Sequence, residues 1–184
     1  IIFLTNCTAE CFKENFNETD IEYFYSDEKS DMLNYNKYFS EIDTEHYDNI
    51  ILVNDSLSFH KNINDVFKWA HSHSYDFWSL TESLEHTFHL QSFFIAFKGK
   101  CTKCAIDYIL SFERRIPVNF RETEHALYYY HQIVGFFELS LTTFLINAGF
   151  TGRAFYDVML SDDIYENPSF KLREYCEKKI NRIS

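Results

Sequence analysis

The chain has 184 residues, enough for one well-buried domain and too few for two ordinary ones. Hydrophobic residues make up 46% and aromatics 19%, while only 4 Gly and 2 Pro leave little material for linkers, so residues 1–184 read as a single compact domain. With 28 acidic against 17 basic residues, the net charge of −11 would repel a polyphosphate strand and argues against nucleic acid as a partner.

No apolar run approaches the ~20 residues that span a bilayer, and the N-terminus lacks the charged start of a signal peptide, so no transmembrane segment is expected. Cys7, Cys11, Cys101, Cys104 and Cys176 form an odd set, which argues against a full disulfide framework and for a reducing, cytoplasmic compartment. Cys101-x-x-Cys104 has the spacing of half a zinc site, but no second such pair follows, and ordinary thiols are the favoured reading. The chain opens directly on Ile1-Ile2-Phe3-Leu4, which suggests a piece of a longer protein.

In chain order, Ile1 to Leu4 reads as a strand, Thr8 to Phe16 as a short helix and Ile21 to Tyr25 as a second strand. Ser30 or Asp31 can cap a helix running to about Ile42. Tyr47 to Val53 supplies a third strand, whose aliphatic core predicts a central strand buried on both faces. Asn62 to about His71 places Ile63, Val66, Phe67 and Ala70 on one helical face. Short and long strands are predicted at Asp76 to Leu80 and Phe88 to Phe97, then a helix from Lys100 to about Phe112, ending before Pro117. Asn119-x-x-Glu122 opens a helix through Tyr130, and Phe136 to Ala148 forms another that stops at Gly149. A strand over Ala154 to Leu160 and a terminal helix over Ser169 to Ile180 complete the chain. The alternation of strand and helix predicts an α/β fold with a mostly parallel sheet flanked by helices.

Three features carry candidate chemistry. Asn54-Asp55-Ser56 follows the Ile50–Val53 run, at the strand end where open α/β sheets bind ligands. His89 and Gln91 alternate onto one face of a predicted strand and need partners if buried. Glu138 falls in the first turn of a predicted helix among Phe136, Phe137 and Leu139, as a partly desolvated carboxylate or a plain helix-dipole partner. Thr5 and Asn6 end the first strand and can touch a nucleotide. His71-Ser72-His73 lacks the facing geometry of a metal pair.

Tyr47-Asp48-Asn49-Ile50-Ile51-Leu52-Val53-Asn54-Asp55-Ser56, Asp76-Phe77-Trp78-Ser79-Leu80-Thr81, His89-Leu90-Gln91-Ser92-Phe93-Phe94-Ile95-Ala96-Phe97, Glu138-Leu139-Ser140 and Ala148-Gly149-Phe150 follow one another in an order and spacing that resembles the rhamnan synthesis protein F family of bacterial polysaccharide glycosyltransferases. The resemblance runs from about residue 1 to 152. It implies a GT-A-like, Rossmann-like sheet, here without the first strand-helix unit before Ile1, and transfer of a sugar, rhamnose by the family's habit, from a nucleotide-sugar donor such as dTDP-rhamnose to a growing cell-surface glycan at the inner face of the membrane. On that reading Glu138 is the catalytic base of an inverting reaction, and Thr5, Asn6, Asn54, Asp55 and Ser56 meet the donor. Trp78, Thr81, His89 and Gln91 meet the sugar or acceptor, and a divalent cation (Mg or Mn) at Asp55 is one way to neutralise the diphosphate. Two departures, Asp27-Glu28-Lys29-Ser30-Asp31 where the family has a glycine-containing segment and Ser79 for a glycine, keep a second expectation open: a non-catalytic domain that binds nucleotide sugars or glycans.

Overall fold

A computed structural model describes residues 2–5, 22–26, 28, 30–44, 46–54, 57, 63–84, 86–112 and 134–156. Strands β1 (Ile2–Thr5) and β2 (Glu22–Tyr25) pair in parallel as a separate two-stranded sheet. Helix α1 (Asp31–Glu41) starts where Ser30 Oγ accepts the Leu33 N–H, an N-cap bond that satisfies one orphan donor of the first turn. Then come β3 (Asn49–Val53), α2 (Asn64–Ser72), β4 (Phe77–Ser83), β5 (His89–Leu90), β6 (Phe94–Lys98) and α3 (Lys100–Leu110). A π-helix (Val134–Leu139) passes straight into α4 (Ser140–Asn147), and β7 (Gly152–Tyr156) ends the described chain. The α4–β7 turn uses Gly149 at φ 91°, the left-handed geometry of a helix C-terminus that favours glycine.

The larger sheet is mixed, with order β3-β6-β4 and β7 on the far side of β4, while β5 continues the β6 edge along the distal half of β4. β6 runs antiparallel to both β3 and β4, whereas β7 runs parallel to β4. The expectation of a mostly parallel sheet is therefore corrected: the β4–β6 connection is a short return through β5, which forces opposite strand directions, because a parallel neighbour would need a long crossover.

Alternation along the strands sorts the core to two faces. Phe77, Ile95, Phe97, Leu52 and Ala154 face a cluster with α1, α3, the π-helix and α4, built on Met32, Phe39, Cys101, Ile109, Phe137, Leu141 and Leu145. Trp78, Leu80, Phe94 and Ala96 face α2 through Val66 and Ala70. Helices thus cover both faces of the sheet. Phe77 and Phe97 are cross-strand partners, both fully buried, and each contributes about 1.5–3 kcal/mol through removal from water. The Asn36 side-chain amide donates to Ile109 O at 2.9 Å, tying α1 to α3 inside the first cluster.

Three local expectations change. The predicted Phe88–Phe97 strand is broken at residues 91–93, where the backbone turns between β5 and β6. β3 is not central: among the described residues it pairs only with β6, and α2 packs over β4 and β7, so Ile51 and Val53 remain 41% and 44% exposed on that face. The helix expected from Phe136 begins earlier, as the π-helix, so Glu138 lies at a π-to-α junction and not in a first turn. Helices expected at Thr8–Phe16, Asn119–Tyr130 and Ser169–Ile180, the strand beyond Tyr156, and Cys7, Cys11 and Cys176 lie outside the described residues.

Candidate functional site

The C-terminal ends of β3 and β4 meet the N-terminal end of β6, and the turn at residues 91–93 is stitched to all three neighbours. Asn54, the residue after β3, donates its backbone N–H to Phe93 O at 3.1 Å, and the Gln91 N–H reaches Thr81 O at 3.0 Å. Thr81 Oγ1 donates to Gln91 Oε1 at 2.5 Å, while Ser79 Oγ donates to Thr81 O. Thr81 and Gln91, both expected to touch a sugar, are therefore brought together by side-chain contact. Asn54 stands one strand away, with Asp55 and Ser56 next in sequence but outside the described residues.

Glu138 arrives at the same turn from the helical layer. Ser92 Oγ donates to Glu138 Oε1 at 3.0 Å, and one helical turn on, Thr142 Oγ1 accepts the Leu90 N–H at 3.0 Å. The match is geometric: four helical residues rise about 6 Å and two strand residues about 6.6 Å, so side chains at 138 and 142 meet positions 92 and 90 in register. The π-helix is anchored against α3, where the Tyr108 hydroxyl donates to Phe136 O at 2.7 Å and the two rings stack 4.5 Å apart. Ser140 Oγ donates to Gly135 O at 2.6 Å, bracing the wide turn. Inserted π turns recur at functional sites because they redirect one side chain without unpacking a helix. Here Phe137 is buried and Glu138 half-buried.

Two expected sugar contacts are corrected. Trp78 is 2% exposed and packed edge to face against Phe67 and Trp69, so it offers no ring face to a sugar. His89 is buried with Nδ1 paired to Thr87 O at 2.9 Å, and the break after Leu90 removes the shared strand face with Gln91. The short β5 turns His89 into a locally satisfied core histidine. Thr5 ends β1 in the other sheet, which no described strand pairing joins to the site, and Asn6 lies outside the described residues.

Two residues went unnoticed in the sequence. Ser92, buried beside Gln91, is the hydrogen-bond partner of Glu138, a pairing 46 positions apart that no local pattern encodes. Glu82 is a buried carboxylate near the end of β4, opposite Leu90 in the β4–β5 pair. Among the described residues no group of three or more His, Cys, Asp or Glu is placed to hold a metal. Cys101 is fully buried, and burial, aided by the charges of Asp76 and Cys104, pushes its thiol up to about 12. Burial, then Asp107, also raises that of Cys104. An open groove of about 380 Å³ flanks the π-helix, lined by residues including Tyr108, Leu139, Thr143 and Phe144.

Among the described residues no helix is long and apolar enough to cross a membrane. No family model matches the chain, and neither a curated protein nor a solved structure matches it.

Proposed function

We propose that the chain is a nucleotide-sugar-dependent glycosyltransferase of GT-A-like fold, related to the rhamnan synthesis protein F family. It moves a sugar, rhamnose by that likeness, from a nucleotide diphosphate donor to a glycan acceptor with inversion. The observation that supports this most is the gathering of Glu138, Ser92, Gln91, Thr81 and Asn54 around one turn, at the C-terminal ends of β3 and β4. Open α/β sheets bind ligands at such ends.

In this reading Glu138 takes the proton of an acceptor hydroxyl, whose oxygen attacks the anomeric carbon from the face opposite the nucleotide. The bond from that carbon to the diphosphate oxygen breaks with its electron pair, and the nucleoside diphosphate leaves. Thr81 fixes Gln91, and Gln91 holds a sugar hydroxyl. Asn54, Asp55 and Ser56 face the donor. Asp55 is the residue that would hold a divalent cation, and no cluster among the described residues completes such a site.

The test is release of dTDP from dTDP-rhamnose, with and without a rhamnan oligosaccharide acceptor. Glu138→Gln keeps size and hydrogen-bonding shape while removing the base, so turnover should fall roughly 10²-fold or more with donor binding retained. Transfer at the parent rate would remove Glu138 from the chemistry. Donor binding without turnover in the parent chain would favour the non-catalytic binding domain.

A further inference from the structure

Two side chains of the helical layer reach the segment that joins β5 to β6, and their partners differ in kind. Thr142, 1% exposed, accepts the Leu90 main-chain N–H at 3.0 Å, so that bond docks the helix on the strand backbone. Buried Phe137, Leu141 and Leu145, with the Tyr108 hydroxyl on Phe136 O, hold the same stretch in place. Docking therefore stands without Ser92. The Ser92 hydroxyl meets the end of a side chain instead, Glu138 Oε1, and what it settles is where that carboxylate points. Glutamate is among the side chains with the most rotamer freedom, and an unheld carboxylate spreads over several orientations. Ser92 is 8% exposed and has one O–H to give, so its proton is committed to Oε1. Glu138 Oε2 has no hydrogen-bond partner among the described residues. It is not one of the enclosed, unsatisfied oxygens there, which are Ser26 Oγ and Asn34 Oδ1, so it opens to solvent.

We propose that Ser92 is a positioning residue for the base: its hydroxyl holds Glu138 by Oε1 and leaves Oε2 as the oxygen that takes the acceptor proton. The acceptor O–H proton passes to Oε2, and the acceptor oxygen bonds to the anomeric carbon. The bond from that carbon to the diphosphate oxygen breaks, and its electron pair leaves with the nucleoside diphosphate. An O–H on an ionised carboxylate is a charge-assisted bond, stronger than a neutral one, so Ser92 grips Glu138 most firmly in the form that acts as base. Once the proton has arrived, that grip loosens. The base role rests on the glycosyltransferase reading; the orientation rests on the Ser92 hydrogen bond and on docking contacts that persist without it.

The test measures kcat and the donor KM of the full chain, by release of dTDP from dTDP-rhamnose in the presence of a rhamnan oligosaccharide acceptor. Ser92→Ala should lower kcat roughly tenfold, the scale of one hydrogen bond to a charged group, and leave the donor KM within about twofold. Ser92→Thr keeps the hydroxyl and should restore most of the loss. A double-mutant cycle against Glu138→Gln separates positioning from a merely structural role. Once the base is gone there is nothing to orient, so Ser92→Ala should cost less than about twofold in that background, whereas a structural loss would repeat the roughly tenfold effect. Melting temperature monitors the fold of every variant. If Ser92→Ala does not fold, Ser92→Cys, close in size but a weak donor, takes its place. Turnover at the parent rate in the folded variant, an additive cycle, or a folded Ser92→Thr no faster than Ser92→Ala overturns this inference and leaves the glycosyltransferase reading standing. No release of dTDP by the parent chain overturns that reading and the inference with it.

Discussion

Gly152→Ala should destabilise the protein, against the usual direction of a glycine replacement in regular structure. The cause is a single close approach: a Cβ at position 152 would overlap Cζ, Cε1 and Cε2 of Phe77, its cross-strand neighbour in the β4–β7 pair. Phe77 is fully buried and also paired with Phe97, so its ring has little room to swing away. Overpacking of this kind, which drives the ring off its rotamer, costs about 1–3 kcal/mol. Gly135 is the internal control. A Cβ there meets no atom within 4 Å, so Gly135→Ala should be neutral or stabilising by about 0.4–1 kcal/mol through the unfolded chain. The assay is urea unfolding followed by tryptophan fluorescence, with a double-mutant cycle against Phe77→Leu. The smaller side chain should relieve the overlap and give a favourable coupling of about 1–2 kcal/mol. A Gly152→Ala variant within about 0.5 kcal/mol of the parent, or a cycle additive within about 0.5 kcal/mol, would refute the argument.

Alkaline pH should expose the buried thiol. The folded Cys101 thiol is raised to about 12 against about 8.5 in an unfolded chain, so its contribution is fully present below about pH 8.5 and is lost as pH rises toward 12. The slope is about 1.4 kcal/mol per pH unit. In reducing buffer between pH 9 and 11, Cys101→Ala should show a shallower decline of urea stability than the parent, and identical slopes would contradict the burial argument. Trp78→Leu should lower stability by about 2–4 kcal/mol through lost packing in the α2 cluster while leaving glycoside affinity within twofold. A selective loss of affinity at unchanged stability would restore Trp78 as a sugar platform.

What the sequence made legible was local. The Ser30 cap and an end near Ile42 place α1 within a residue or two, because a cap acts over a single turn. Strand direction is not written in alternation, so β6 was indistinguishable from a parallel neighbour. The break at Gln91-Ser92-Phe93 carries neither Gly nor Pro; it is imposed by Thr81, Asn54 and Glu138 from three other parts of the chain. The aliphatic run of β3 reads as buried on both faces, yet the second face depends on where α2 settles. Around the turn at 91–93, Thr81, Gln91 and Glu138 are expected individually from the sequence, whereas the Ser92–Glu138 hydrogen bond exists only once the helix lies along β5.

The seam between β4 and β7 has a consequence for how the chain is made. Asp76 holds the Thr151 N–H and hydroxyl across 75 positions, whereas the Thr81–Gln91 pair closes over 10. The longer closure costs about 1.8 kcal/mol more in chain entropy, so the β4–β5–β6 return should form first and β7 should dock late. During synthesis the far edge of β4, carrying Phe77, Trp78 and Leu80, remains an open apolar strand until residues near 156 have emerged. Its unpaired backbone is then a template for strands of other nascent chains. Recovery of folded protein should therefore depend on chain concentration during that interval more than on the stability of the finished sheet.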